Sequence, residues 1–167
     1  MNRTTVVVVM GVSGCGKSTI AARLAERLGW QFAEADLFHP PVNIDKMRGG
    51  VPLSDDDRWP WLQSIAAWID AARRARRPSV ITCSALKRKY RELIAGGRDD
   101  VALVYLKGDY ALIERRLAAR AHAYMPASLL RSQFEALEEP GADEHPIVVS
   151  IEPPPGEIVE AIVAALR

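Results

Sequence analysis

Gly11-Val12-Ser13-Gly14-Cys15-Gly16-Lys17-Ser18 has the spacing of a loop that wraps a polyphosphate. The chemistry sets the residue types. Several backbone N–H groups must turn inward on one anion, which takes backbone conformations that glycine tolerates best. Lys17 can then reach the outer phosphates, and Ser18 can ligate magnesium. Thr19 opens a helix whose positive end faces the anion. Nucleotide binding is therefore expected at Gly11, Val12, Ser13, Gly14, Cys15, Gly16, Lys17, Ser18 and Thr19, with Lys17 also catalytic and Ser18 the metal ligand. Cys15, where amide dipoles converge, is expected to be a reactive thiol.

Such a loop needs a buried strand before it and a helix after it. Val6-Val7-Val8-Val9-Met10 is an unbroken apolar run, as a central parallel strand requires. Ile20, Leu24 and Leu28 then recur at helical spacing, and Gly29 stops the helix. Further strands are expected at Gln31 to Ala35, Ser79 to Cys83, Val101 to Leu106 and Ile147 to Ile151. Helices alternate with them: Val42 to Arg48, a long one capped by Ser54, Lys87 to Ala95, Tyr110 to Arg120, Ala127 to Leu137 and Gly156 to Leu166. Alternation of this kind makes an α/β fold, a five-stranded parallel sheet with helices on both faces, whose ligands bind at the carboxyl ends of the strands. The Arg-rich stretch from Arg116 to Pro126 lies between two helices without an apolar pattern and reads as a mobile lid.

A chain of 167 residues fits one domain, and 49% apolar with 26% charged residues is ordinary for a globular protein. A formal net charge of +1 gives no sign of nucleic acid or a membrane surface as partner. Arg73-Arg74-Ala75-Arg76-Arg77 reads as a solvated helix end. No apolar run reaches membrane-spanning length, and the first one leads straight into the phosphate loop, unlike a signal peptide. Two cysteines make no disulfide framework, in keeping with the cytoplasm.

The third strand ends in Ser84-Ala85, without the acid that motor-type ATPases place there, and no Asn-Lys-x-Asp element for guanine is present. Glu34 and Asp36 are the remaining candidates, two apart and so on one side of a strand end. A carboxylate there can accept the proton of an attacking hydroxyl. Phosphate loop, acid and arginine lid together describe a small-molecule kinase.

Ala35-Asp36-Leu37-Phe38-His39-Pro40 resembles the gluconokinase motif Gly-Asp-x-x-His-Pro. The resemblance runs on through Asn43-Ile44-Asp45-Lys46-Met47, Pro52-Leu53-Ser54-Asp55-Asp56-Asp57-Arg58, Cys83-Ser84-Ala85-Leu86-Lys87 and Ser132-Gln133-Phe134-Glu135, nearly the whole chain in order. It implies a P-loop kinase of the shikimate kinase-like type that uses ATP and Mg2+ to phosphorylate D-gluconate, and a homodimer. Asp36 would be the base, and Arg120 or Arg116 would meet the transferred phosphoryl group. His39, Lys46, Arg58, Ser84, Lys87 and Arg91 would join Asp36 around gluconate, while Arg116 and Pro154 would flank adenine. Two departures stand out. Glu34 replaces the usual aspartate, and Ala123 takes the usual lid histidine position, with His122 one residue early. Shikimate kinase and a nucleotide-binding regulatory module without catalysis are the alternatives. The Gly-Gly-Gly usual after the third strand in shikimate kinases is absent here.

Overall fold

The computed structural model describes residues 3–119 and 127–167. Its sheet contains β1 (Val6–Met10), β2 (Gln31–Glu34), β3 (Ser79–Thr82), β4 (Val101–Lys107) and β5 (Ile147–Ser150), all parallel, in the order β2-β3-β1-β4-β5. In β1, Val6 to Val9 pair with Ser79 to Thr82 on one side and Val101 to Val104 on the other. The strands are therefore level, and their carboxyl ends open on a single edge.

Among the described residues, seven α-helices connect and cover the strands: α1 (Lys17–Leu28), α2 (Pro41–Arg48), α3 (Asp55–Arg74), α4 (Arg88–Ile94), α5 (Tyr110–Ala118), α6 (Ala127–Ala136) and α7 (Pro155–Leu166). The even spread of apolar residues in β1 follows from burial on both faces. Val7 and Val9 pack with Ile20 and Leu24 of α1 and Ile158 and Ile162 of α7. Val6, Val8 and Met10 pack with Trp61, Leu62, Ile65 and Ile69 of α3 and Tyr90 of α4.

Several boundaries depart from expectation for local reasons. β2 ends at Glu34, and Ala35–Phe38 wind into a 3-10 turn, so strand alternation stops before Asp36. α5 carries helix through Arg116 to Ala118, which shortens the expected lid at its start; the segment 120–126 lies outside the described residues. Trp61 is fully buried and Trp68 packs on Phe38 at 6.4 Å, whereas Trp59 is exposed. Arg73 is not simply solvated, since it bonds Asp100 at 2.7 Å and Asp70 at 2.9 Å.

Ser54 starts α3 with a reciprocal cap: its hydroxyl accepts from the Asp57 N–H at 3.1 Å, and the Asp57 carboxylate accepts from the Ser54 N–H at 2.9 Å. At the other side of the site, Ala85 holds a left-handed φ of +46°, a strained conformation for a residue with a Cβ. Arg91, 2% exposed, clamps this turn by donating to the Ala85 carbonyl at 2.8 Å while it pairs with Glu144 at 2.7 Å and 3.2 Å.

Arg91→Ala should lower unfolding stability by about 3 kcal/mol in urea titration, because it strands a largely buried carboxylate and a buried carbonyl. Acid should act on α3. The Lys46 ammonium holds the Asp57 carboxyl at about 2, below its ordinary 3.8, with the Ser54 N–H assisting. A depressed carboxyl stabilises the fold above its unfolded value and loses that contribution as pH falls through its folded value. Stability should therefore drop between pH 4 and pH 2, and Asp57→Asn should flatten that part of a urea-midpoint against pH curve.

Candidate active site

The phosphate loop leaves β1 at Gly11 and enters α1 at Lys17. Two of its glycines are required by contact as well as by conformation. A Cβ on Gly11 would lie 2.7 Å from the Cys15 sulfur and 3.1 Å from the Leu106 carbonyl; one on Gly14, at φ +84°, would lie 2.7 Å from Leu117 of α5. Lys17 lies back over the loop, donating to the carbonyls of Gly11 at 2.9 Å and Val12 at 3.0 Å. Ser18 and Thr19 are exposed in the first turn of α1. The Cys15 side chain, 2% exposed, packs into the core beneath the loop, so its burial overturns the expected reactivity.

Beside the loop lies a cavity of about 370 Å³. Lys17, Asp36, His39, Arg58 and Ser84 all line it, brought from the ends of β1, β2 and β3 and from α3. Its apolar wall is Ile44, Met47, Leu53 and Trp61. Asp36 reaches it from the 3-10 turn, whereas Glu34, opposite Thr82 at the end of β2, does not line it. The two acids thus do not act as a pair, because the turn breaks the alternation that would have aligned them.

His39 stacks on Trp61 with ring centres 4.1 Å apart and planes 14° apart. Burial pushes its pKa down to about 4, opposed by Asp36 and assisted by Arg58, so the ring is neutral at physiological pH. Arg58 donates to the Tyr90 hydroxyl at 3.3 Å and lies 5.7 Å from that ring's centre, with no carboxylate neutralising it among the described residues. Cys83, at the end of β3, is inert: burial raises its thiol to about 12.

Three expected ligands stay out of the cavity. Lys46 is tied to both carboxylate oxygens of Asp57, at 2.9 Å and 3.0 Å, and Lys87 to Asp55 at 3.1 Å. Arg91 is the turn clamp described above. Two polar lining residues were not among the expected ligands. Arg48, at the end of α2, is exposed and has no hydrogen-bond or ion-pair partner among the described residues. Gln133 of α6 accepts from the Ser13 N–H at 2.7 Å and donates to the Ser13 hydroxyl at 3.1 Å, docking α6 onto the loop. Its spacing alone marks only a polar helix position.

On the opposite side of the loop, Arg116 donates to the Ile151 carbonyl at 2.9 Å, next to the exposed Pro154 that precedes α7. Arg120, His122 and Ala123 lie outside the described residues. No group of three or more His, Cys, Asp or Glu side chains able to hold a metal occurs among the described residues. Magnesium brought in by a nucleotide fits this arrangement, since it needs one hydroxyl such as Ser18 beside phosphate oxygens and water.

A family model described as "AAA domain" matches residues 6–140. The thermoresistant gluconokinase of Escherichia coli (strain K12) is 44% identical over 163 residues, covering 97% of this chain and 93% of that protein. A solved gluconokinase from Sinorhizobium meliloti 1021 superposes with a TM-score of 0.87 at 42% identity, over 99% of this chain and 93% of that one. The shikimate kinase of Aquifex aeolicus shares the fold, with a TM-score of 0.65 at 15% identity over 96% of this chain and 95% of its own. Likeness that close over nearly the whole of both chains, on a parallel sheet whose one open edge carries the phosphate loop and the acid-lined cavity together, places this chain in the gluconokinase family.

Proposed function

We propose that the chain transfers the γ-phosphoryl group of ATP to the 6-hydroxyl of D-gluconate, giving 6-phospho-D-gluconate and ADP. The observation that carries this reading is that Lys17 of the phosphate loop and Asp36 line one cavity together with two arginines. Asp36 accepts the proton of the attacking hydroxyl as the new oxygen–phosphorus bond forms and the bond to ADP breaks. Lys17 turns from its carbonyl partners to the phosphates and neutralises charge on the transferred group. Magnesium, when bound with the nucleotide, offsets phosphate charge, with the Ser18 hydroxyl as its protein ligand.

Gluconate is a carboxylate with a chain of hydroxyls. Arg58 and Arg48 are the cations left over for its carboxylate, and Ser84 and His39 are the neutral groups for its hydroxyls. Arg116 and Pro154 would pack against adenine, and Arg120 would meet the phosphoryl group. A homodimer belongs to the same reading, supported by exposed Leu37, Val42, Val51 and Trp59 near α2.

ADP release with ATP and magnesium should require D-gluconate and should not occur with shikimate; turnover with shikimate alone would overturn the acceptor. Asp36→Asn should lower kcat by about 100-fold or more with ATP affinity nearly unchanged, as expected for loss of a general base. Lys17→Ala should lower kcat by a similar factor and weaken ATP as well, read by steady-state kinetics and calorimetry.

A further inference from the structure

We infer that His39 meets the acceptor as a neutral imidazole protonated on Nε2, and that Asn43 is the positioning residue that fixes this tautomer. Asp57, in the first turn of α3, turns its backbone carbonyl toward Asn43. The Asp57 oxygen can only accept, and the Asn43 amide lies 2.8 Å from it, so the amide must face it with its nitrogen. The second hydrogen of that same nitrogen points at His39 Nδ1, 3.1 Å away. Nδ1 must therefore be the bare, accepting nitrogen, and the ring proton sits on Nε2. Asn43 is 1% exposed, so water does not compete for either contact.

The ring cannot swing away. Trp61 stacks flat against it, and the indole N–H is anchored to the Ala35 carbonyl at 2.7 Å. With Nδ1 engaged, Nε2–H is the polar atom that His39 has left for the cavity it lines. The charged groups acting on the ring, Asp36 from the turn and Arg58 from α3, oppose one another, and burial disfavours the cation. A neutral single donor suits a hydroxyl oxygen and leaves the carboxylate to the arginines. His39 would then read the hydroxyl pattern of the acceptor and not its charge. An aspartate at position 43 could not donate, and would reverse the tautomer.

This inference rests on the polyhydroxy acid reading of the cavity, and the two can be separated. Long-range proton–nitrogen correlation spectra of substrate-free protein labelled in its histidines, of which there are 3, report the tautomer directly. His39→Gln identifies the signal. The expected result is a neutral ring with the proton on Nε2 at pH 7; a proton on Nδ1, or an imidazolium, overturns the inference whatever the substrate. Asn43→Ala should shift the ring toward a mixture of tautomers. In kinetics, glutamine places its amide nitrogen near the Nε2 position and asparagine near Nδ1. His39→Asn should therefore raise KM for gluconate about fivefold more than His39→Gln does, the worth of one neutral hydrogen bond. Equal KM values in the two variants would remove His39 from acceptor recognition. A wild-type enzyme inactive on gluconate would instead defeat the acceptor reading and leave the tautomer result standing.

Discussion

The site depends on one constraint: backbone N–H groups aimed at an anion cannot also donate to the carbonyls of their own loop, so other parts of the chain must hold that loop in shape. Gly11 is pressed between the Cys15 sulfur and the Leu106 carbonyl, and Gly14 against Leu117, so β4 and α5 fix the loop from two directions. Lys17 bonds the loop's own carbonyls, and Gln133 meets Ser13. These supports come from widely separated stretches of sequence. Only a level parallel sheet, opening all its carboxyl ends on one edge, brings them together.

Charge pairing then sorts the cations. The first turn of α3 carries Asp55, Asp56 and Asp57, which suit the positive end of the helix. Two of them do more than that. Asp55 gathers Lys87, Lys89 and the Tyr90 hydroxyl, and Asp57 gathers Lys46. A lysine held by a carboxylate presents little net charge to a ligand, whereas Arg58, whose nearest partner is a neutral phenol, keeps its own. The helix that walls the cavity thus decides which positive charge faces into it.

Much of the fold was legible because β1 and α1 state their environments in short, unambiguous patterns: a wholly apolar run, a glycine loop, then helical spacing stopped by Gly29. That Lys17, Asp36, His39, Arg58 and Ser84 come together around one cavity was legible, because all lie just beyond strand ends or in motifs attached to them. What sequence could not resolve was pairing at a distance. Nothing near Arg91 announces Glu144, 53 positions later, and nothing near Lys46 announces that Asp57 will hold it. Arg48 went unremarked for the converse reason, since lacking a partner leaves no pattern.

The turn after β2 shows how the same limits apply to a single departure. Where the resemblance leads to the expectation of an aspartate at position 34, this chain has Glu34-Ala35-Asp36. Ala35 is fully buried and its carbonyl receives the Trp61 indole N–H, so only a very small side chain fits at that position. Asp36, one residue into the 3-10 turn, is directed into the cavity by that anchored neighbour. Glu34 is half-buried at the strand end and lines no part of the cavity. The extra methylene therefore falls on the member of the triplet whose length matters least to the cavity. The middle residue, which carries no chemistry of its own, is the one that geometry constrains most. It holds Trp61, Trp61 holds His39, and the turn that presents Asp36 is pinned by the same hydrogen bond.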